Sequence, residues 1–351
     1  MSMFTLLPLT FFISLIVIIA SYNFALKHHF VDRPSTRKQH STVVPLSGGI
    51  SIYLGSLLFL FVAVPLNNNL FYLFLTSSFI FITGLIDDLK GLTAKTRILI
   101  QIFSCLTLIF GSGLYLESFG NLFGLGEIEL GLWGIPLTIF CIVGVTNAFN
   151  MIDGLDGLAG SVFINAILGI FLFQIVQFKT LYVYFFYNQF LLFLLVASIP
   201  YMIFNLQIIK GRRVFLGDSG STFLGYIVAW SLIGLSQGDG RSIEPVDALW
   251  VIAIPLMDTI VIILRRLFNK LSPFNPDRRH LHHILLKKGI SKRKTLLIIS
   301  SASFVLILFG VFNSIYLSSI SIFVFLIMFL LYVFWNILYF VEDVVTSNNE
   351  Q

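Results

Sequence analysis

Charge is scarce in this sequence: Asp, Glu, Lys and Arg together make up only 11% of its 351 residues. No polar stretch is long enough to bury a core of its own, which excludes a separate soluble domain. The net charge of +5 would suggest nucleic-acid binding in a soluble protein, but here the basic residues lie in loops between apolar runs. Membrane orientation explains them better, and we expect no nucleic-acid partner.

Cysteine is nearly absent, and the two residues present, Cys105 and Cys141, both lie inside apolar runs. There they act as small hydrophobic side chains rather than as a disulfide or a metal-binding pair. Lys and Arg are missing before the first apolar run and no small-residue cleavage site follows it, so we expect a retained first helix. Internal repeats and low-complexity segments are also missing, and a single membrane domain over residues 1–351 is predicted.

Apolar residues make up 57% of the sequence and recur in runs long enough to cross a bilayer. Because a helix satisfies its own backbone hydrogen bonds in lipid, we predict an all-α polytopic membrane protein. The runs predict about eleven transmembrane helices, at residues 3–26, 47–65, 70–86, 98–116, 132–150, 159–178, 181–203, 220–236, 247–264, 295–312 and 315–340.

The positive charges fall mainly on one side of this predicted topology. Of the 22 Lys and Arg residues, 20 lie in loops that follow odd-numbered spans, and only Lys179 and Arg241 lie on the other side. The positive-inside rule then places the N-terminus outside and the C-terminus in the cytoplasm. Five carboxylates share the cytoplasmic side, namely Asp87, Asp88, Asp153, Asp156 and Asp218. Carboxylates and cations at one membrane face indicate an active site for a highly charged substrate.

Four amide or carboxylate side chains recur every third residue where the fifth span ends: Asn147, Asn150, Asp153 and Asp156. A continuous helix, at about 100° per residue, would spread them over half its circumference. Gly154 and Gly157 predict that the chain leaves the helix there, so that the aspartates turn toward what the asparagines face. The alternative is a polar helix end that meets lipid headgroups.

The third span ends in two adjacent carboxylates, Asp87 and Asp88. Neighbouring side chains on a helix point about 100° apart, so we expect separate duties, one facing a metal ion and one facing substrate. The alternative is a helix end whose charge is compensated by the cations of the next loop, which are Lys90, Lys95 and Arg97.

Asp218 lies between Gly217 and Ser219-Gly220, just before the eighth span. It could simply cap the N-terminus of that helix. Three cations immediately upstream, Lys210, Arg212 and Arg213, favour a magnesium and phosphate site instead.

A third cluster holds two arginines and three histidines: Arg278, Arg279, His280, His282 and His283. Zinc is disfavoured because no cysteine or glutamate lies nearby and the last two histidines are adjacent. Guanidinium and imidazole donors suit phosphate and sugar hydroxyls better. An amphipathic helix with solvated histidines is the alternative.

A basic loop before the second span suits the phosphate head of a lipid, with paired glycines that permit close backbone approach. The residues we assign to lipid-phosphate binding are Arg37, Lys38, His40, Gly48 and Gly49. A role in membrane topology alone is the alternative. Asp258, inside the ninth span, is expected to partner a polar group of a neighbouring helix.

Four motifs, in order along the chain, resemble the signatures of the polyprenyl-phosphate N-acetylhexosamine-1-phosphate transferases, the glycosyltransferase 4 family. They are Gly84-Leu85-Ile86-Asp87-Asp88, residues 147–158, residues 214–221, and Pro276-Asp277-Arg278-Arg279-His280-Leu281-His282-His283. The resemblance runs from about Arg33 to Lys294. It implies an active site built from cytoplasmic loops at about residues 27–46, 87–97, 147–158, 205–221 and 265–294.

The resemblance implies transfer of a sugar-1-phosphate from a UDP-N-acetylhexosamine to undecaprenyl phosphate, with release of UMP, at the bacterial cytoplasmic (inner) membrane. It implies Mg²⁺ as cofactor, with Mn²⁺ as an alternative ion, and Asp218 and Asp88 as its ligands. Asp87, Asp88 and Lys95 are then catalytic, whereas Lys90 does not match the spacing used in the muramoyl-pentapeptide branch. Nucleotide-sugar binding is assigned to Asn147, Asn150, Asp153, Asp156, Arg278, Arg279, His280, His282 and His283.

The histidine motif separates two branches of that family. The muramoyl-pentapeptide transferases carry His-His-His-Phe-Glu, whereas this chain reads His-Leu-His-His-Ile at residues 280–284. It is similar to the branch that uses N-acetylglucosamine phosphate to start O-antigen, enterobacterial common antigen and teichoic acid linkage units. A muramoyl-pentapeptide donor, another UDP-N-acetylhexosamine and a homodimer stay open.

Two other classes are disfavoured. A cation-coupled transporter would carry its charges near the bilayer midplane and show two related halves. A CDP-alcohol phosphatidyltransferase would carry a spaced aspartate series on a single helix, which is missing here.

Overall fold

The computed structural model describes residues 3–32, 43–61, 68–178, 186–238, 240–272, 277 and 279–349. The described chain is mostly helical. Its helices are α1 (Met3–Lys27), α2 (Gly48–Ser56), α3 (Asn68–Lys90), α4 (Ala94–Ser112), α5 (Gly134–Ile152), α6 (Leu158–Phe178), α7 (Phe186–Asn205), α8 (Gly217–Ser236), α9 (Pro245–Val251), α10 (Ala253–Phe268), α11 (Leu281–Lys287), α12 (Lys292–Tyr316) and α13 (Ser321–Asn349). Short 3₁₀ turns cover Leu57–Phe61, Gly131–Trp133 and Ser318–Ile320.

The predicted class, an all-α protein with many membrane spans, is confirmed. Nine helices in the described part of the chain are long and apolar enough to cross a membrane, and α9 with α10 forms a bent tenth candidate. The segment Gly48–Leu60, which was predicted as the second span, is a shorter apolar helix. Every one of the eleven predicted runs therefore contains a helix, but two of them are not simple straight spans.

The ninth predicted span is broken at Ile252, where α9 and α10 meet at 82°. Pro255 is the third residue of α10. A proline ring lacks an N–H and clashes with the carbonyl four residues earlier, which here would be that of Val251 in a continuous helix. The chain therefore ends one helix before this position and begins another.

Two short strands depart from the predicted all-helical class. β1 (Val31–Asp32) pairs antiparallel with β2 (Val44–Pro45). Strands of two residues are too short to produce an alternating apolar pattern, so hydropathy does not predict them. The Pro45 carbonyl also accepts a hydrogen bond from the Phe215 N–H at 2.9 Å, which ties the entrance of α2 to the loop before α8.

The core of the protein surrounds α8, in which 17 of 20 residues are buried. α3 and α5 make its most extensive contacts. A Cβ at Gly84 of α3 would overlap the backbone of Ser219, and one at Gly49 of α2 would overlap the backbone of Gly220. Small residues allow membrane helices to approach backbone to backbone. This packing brings the polar ends of α3, α5 and α8 together.

Candidate active site

Asp218, in the first turn of α8, lies where the three central helices meet. Its Oδ1 accepts a hydrogen bond from the Asn150 amide of α5 at 2.7 Å. Its Oδ2 is 3.5 Å from a guanidinium nitrogen of Arg97, at the start of α4. With 38% of its side chain exposed, Asp218 is open to a ligand while its neighbours fix its orientation.

Asp88 performs a task that the sequence did not reveal. Its carboxylate accepts hydrogen bonds from the Asp218 N–H at 2.7 Å, the Ser219 N–H at 3.1 Å and the Ser219 hydroxyl at 2.8 Å. These donors belong to the first turn of α8, whose unpaired N–H groups attract a carboxylate. The alternative in which Asp218 caps its own helix is therefore wrong, because Asp88 caps it from α3.

Asp87 faces a different set of partners. It pairs with Arg97 at 2.9 Å and accepts the Leu92 N–H at 2.5 Å. The two adjacent carboxylates thus have separate surroundings, as predicted, although their assignment to metal and substrate stays a prediction. Lys95 is exposed two residues after Thr93, the N-cap of α4, and its catalytic role likewise stays a prediction.

The helix that carries Asn147 and Asn150 ends where the sequence indicated. α5 ends at Ile152, α6 begins at Leu158, and Gly157 between them adopts a φ of +76°. The four polar side chains do not converge on one point, however. The Asn147 amide donates to Gln101 of α4 and to the Val143 carbonyl, both at 2.7 Å. Asp156 pairs with Arg213.

Asn147 therefore does not share the surroundings of the other three side chains. On a helix, a residue three positions from Asn150 lies about 60° away, enough to direct it at a different neighbour. Asn150 contacts α8 through Asp218 and through Ser221 at 3.0 Å, whereas the amide nitrogen of Asn147 is engaged by α4. Its role in nucleotide-sugar binding has no support from this arrangement.

The side chain of Asp153 makes no hydrogen bond or ion pair with any other residue of the described chain, although its backbone N–H donates to the Asn150 carbonyl at 3.3 Å. Burial, followed by the negative charges of Asp218, Asp156 and Asp88, raises its pKa well above the ordinary aspartate range. A carboxylate in this position is stabilised by any cation or hydrogen-bond donor that a ligand brings. Asp153 therefore marks the open part of the cluster.

The histidine motif packs directly against the Asp153 turn. His282 is 1% exposed, and a Cβ at Gly154 would overlap its Nε2 atom. Neither ring nitrogen of His282 has a hydrogen-bond partner within the described residues. Burial, together with the neighbouring His283 and His280, lowers the pKa of His282 to about 3. It is thus a neutral imidazole at physiological pH with both nitrogens available.

Stability should reflect this buried histidine. Its pKa is about 3 in the folded state, against about 6.5 in an unfolded chain, so the unfolded state binds the proton more readily. This contribution to the free energy of unfolding is complete above about pH 6.5 and is lost as the pH falls. The loss amounts to about 2 kcal/mol at pH 5. We expect the melting temperature in detergent to be lower at pH 5 than at pH 7, and this decrease to be smaller in His282→Gln.

The exposed His28 provides the matched control for that measurement. His28→Gln should keep the full pH-dependent shift of the unmodified protein. Equal shifts in His282→Gln and the unmodified protein would contradict a buried neutral His282.

The other described residues of the histidine motif each contact a different group. His280 is buried and bonded to Asp258, and His283 packs against the ring of His282 with centroids 4.1 Å apart. The Arg279 guanidinium lies over the ring of Phe340, 5.3 Å from its centroid. Arg278 lies outside the described residues.

The lipid-phosphate set is tested only at its glycines. Arg37, Lys38 and His40 lie outside the described residues. Gly48 and Gly49 are buried, and their N–H groups donate to the carbonyls of Phe215 at 2.9 Å and Leu216 at 3.0 Å. These glycines serve helix packing, and their N–H groups are not available to a lipid phosphate as predicted.

Three residues at this site were missed as functional candidates: Arg97, Arg213 and Ser219. Arg97 bridges Asp87 and Asp218, and Arg213 pairs with Asp156. Both arginines were noted as nearby cations, but sequence spacing could not show which carboxylate each would meet. For Ser219, its place in the first helical turn beside a glycine was the available signal.

Comparison with known proteins agrees with this geometry. The profile described as glycosyl transferase family 4 matches residues 70–236, which include nearly all of α3 and the whole of α5 and α8. The chain is 36% identical over 316 residues to a Yersinia pestis protein named undecaprenyl-phosphate alpha-N-acetylglucosaminyl 1-phosphate transferase, covering 89% of this chain and 84% of the relative. Its counterpart of the same name in Escherichia coli (strain K12) is 39% identical over 292 residues, covering 82% and 77%.

A protein of that name from Haemophilus influenzae is 35% identical over 313 residues, covering 87% of this chain and 85% of the relative. The similarity thus extends well beyond the four motifs and includes most of the helices. The chain belongs to the polyprenyl-phosphate N-acetylhexosamine-1-phosphate transferases of glycosyl transferase family 4.

Proposed function

We propose that the protein transfers N-acetylglucosamine-1-phosphate from UDP-N-acetylglucosamine to undecaprenyl phosphate, releases UMP and so initiates a cell-envelope polysaccharide. The observation that carries this proposal is the similarity, over more than four fifths of the chain, to transferases named for that sugar and that lipid. The carboxylate and cation cluster at the ends of α3, α5 and α8 supports it, because both substrates are phosphate esters.

The site is proposed to face the cytoplasm at the bacterial inner membrane. The positive-inside distribution supports this, with the N-terminus outside and eleven crossings if the short α2 segment and the bent α9–α10 pair each count as one. UDP-sugars are then available from the cytoplasm and the lipid phosphate from the inner leaflet. Whether the protein acts as a monomer or a homodimer does not affect this arrangement.

The chemistry requires little help from a general base. A phosphate monoester has a second pKa near 6, so the lipid phosphate is largely dianionic at neutral pH and is already a nucleophile. The obstacle is the approach of one anion to another, which positioning and neighbouring cations reduce. Arg97 of α4, which lies 3.5 Å from Asp218, and Arg213, which pairs with Asp156, are cations that lie beside these carboxylates.

We propose a single direct attack of the lipid phosphate on the sugar-bearing phosphorus, with Asp87 or Asp88 holding the nucleophile in line. The polar residues of the 147–158 turn and the histidine motif then hold the nucleotide sugar. A covalent aspartyl-phosphate sugar intermediate, trapped after the enzyme is mixed with UDP-sugar in the absence of lipid, would contradict this mechanism.

Magnesium fits the donor set as a shared ion rather than as a protein-enclosed one. Mg²⁺ is usually bound by one or two carboxylates together with substrate phosphates and water. No three His, Cys, Asp or Glu residues in the described chain lie close enough to enclose a metal. Asp218 and the unpartnered Asp153 nevertheless offer carboxylate oxygens beside each other's negative charge, a repulsion that a cation relieves.

Asp218 is therefore proposed to hold Mg²⁺, with Asp88, which the family resemblance pairs with it, bonded to the first turn of the same helix. Mn²⁺ is an alternative ion of similar ligand preference. When bound, the ion would neutralise charge on the pyrophosphate of the donor. The residues of the chain supply orientation and the remaining positive charge.

The test is transfer by the purified full-length protein. UDP-N-acetylglucosamine labelled in the sugar, with undecaprenyl phosphate and Mg²⁺, should yield a labelled lipid and an equal amount of UMP. UDP-N-acetylgalactosamine and UDP-N-acetylmuramoyl-pentapeptide should react at least about tenfold more slowly. A tenfold difference in rate needs only about 1.4 kcal/mol of difference in transition-state binding between two donors. Absence of a lipid product with every donor would overturn the proposal.

A further inference from the structure

Asp258 is a buried carboxylate that neither the cluster around Asp218 nor the family assignment explains. It lies on α10 with 4% of its surface exposed. Carboxylates inside membrane helices are costly and persist where they have a specific partner. Asp258 has three, and all come from outside its own helix: His280 Nδ1 at 2.7 Å, the Leu281 N–H at 2.9 Å and the Tyr332 hydroxyl at 3.0 Å.

The first of these contacts determines the chemistry of His280. An ionised carboxylate can only accept hydrogen bonds, so the hydrogen between the two residues belongs to His280 Nδ1. The Nε2 atom is then the ring nitrogen that remains for other contacts, whether the imidazole is neutral or protonated. Since His280 is itself 5% exposed, its ring cannot turn freely to exchange the two nitrogens.

The second contact determines where α11 begins. Leu281 is the first residue of α11, and its N–H would otherwise be one of the unpaired donors at the helix start. His282 follows within the same turn, and its ring is parallel to that of His280 with centroids 5.9 Å apart. Through these two residues, Asp258 sets the position of the imidazole that packs against Gly154.

Nearby cations do not compete for Asp258. Arg265 and Arg266, further along α10, both pair with Asp277, and Arg266 also donates to the Ser272 carbonyl. Among the described ion pairs, His280 is therefore the one side chain that pairs with Asp258. A buried carboxylate bonded to one ring nitrogen of a histidine is the arrangement that fixes tautomer and orientation in many enzyme sites.

We propose that Asp258 is a positioning residue for the transfer reaction, which holds His280 with Nδ1 protonated and Nε2 free for the sugar hydroxyls of the nucleotide sugar, and fixes the start of α11. Asp258 does not itself contact substrate in this arrangement. The expected effect on kcat rests on the proposed function. The protonation of His280 Nδ1 is a structural claim that can be measured without turnover.

The decisive variant is Asp258→Asn. The amide keeps the size of the carboxylate and can still accept the Leu281 N–H, but its NH₂ group can donate to His280 Nδ1 and release the tautomer. We expect kcat to fall by about 10- to 100-fold, the usual effect of losing a carboxylate that orients a histidine. In the background of His280→Ala the same change should cost less than about threefold, because Asp258 then has no histidine to orient.

A spectroscopic measurement tests the same idea without turnover. In protein labelled with ¹⁵N-histidine, the His280 signals are identified by their loss in His280→Ala. We expect a protonated Nδ1 in the unmodified protein and loss of this fixed protonation at neutral pH in Asp258→Asn. A residue that merely stabilised the fold would not change the protonation of one ring nitrogen.

Asp247 supplies the matched control, since it is a buried carboxylate on α9 bonded to Gln177 and to the Glu244 N–H. Asp247→Asn should leave kcat and the His280 signals unchanged, even where it lowers the melting temperature as much as Asp258→Asn does.

Three outcomes would overturn the inference: an unprotonated His280 Nδ1 in the unmodified protein, full kcat in Asp258→Asn, or equal losses from that change with and without His280. If the unmodified protein transferred no sugar phosphate, the proposed function would fail, and the histidine signals would still decide the inference.

Discussion

Asp218→Asn is expected to lower kcat by about 10³-fold while the protein remains folded. The amide matches the carboxylate in shape and keeps an oxygen for the Asn150 amide, so the contact between α5 and α8 survives. The negative charge facing Arg97 is lost. A charge that organises a phosphate site contributes several kcal/mol to the transition state, and about 4 kcal/mol corresponds to 10³ in rate.

The measurement is the formation of labelled lipid at saturating UDP-sugar and undecaprenyl phosphate, alongside thermal unfolding of the same preparations. Glu129→Gln, in the loop between α4 and α5, is a carboxylate-to-amide control that should retain full kcat. A residual activity in Asp218→Asn above about one tenth would show that another carboxylate is the centre of the site.

Gly154→Ala is expected to reduce kcat/KM by about 100-fold. A Cβ at this position would overlap Nε2 of His282, which is buried and cannot move aside without shifting α11. A displacement of about 1 Å in groups that position a substrate is enough for a 10²-fold loss. Kinetics with varied UDP-sugar will show whether the donor site is the part affected.

Gly144 offers a control on the helix that precedes the same turn. It is exposed on α5, and a Cβ there would meet no atom within 4 Å. Gly144→Ala should therefore be fully active, and slightly more stable because alanine favours the helix. If Gly154→Ala were as active as Gly144→Ala, the close packing of the histidine motif on the Asp153 turn would not matter for catalysis.

The convergence of the motifs could be foreseen because charge distribution alone places loops on one side of a membrane. Asp87, Asp153 and Asp218 each follow or precede an apolar run, and loops on the same side must share a limited area. Helix periodicity likewise predicted that the adjacent Asp87 and Asp88 would face different surroundings. Gly154 and Gly157 predicted the exit from α5.

The partners of these residues could not be foreseen, because spacing along a helix shows a face but not which helix will cover it. Nothing local marks Asp88 as the cap of α8, which lies 130 positions away. Asn147 looked equivalent to Asn150, and only the packing of α4 separates the two. Pro255 was visible, but a hydropathy pattern does not distinguish a continuous span from one bent at 82°.

α8 is the least apolar of the nine candidate spans in the described chain and also the most buried. It meets protein on nearly every side, so it has little need of the lipid-facing side chains that let a segment enter the bilayer alone. Insertion of this segment during synthesis should therefore depend on helices that have already left the ribosome. Gly49 and Gly84 lie on the surfaces of those helices that pack against its backbone. Until it docks, Asp88 has no helix end to bind and Asn150 no carboxylate, so an incompletely assembled chain carries no partial site.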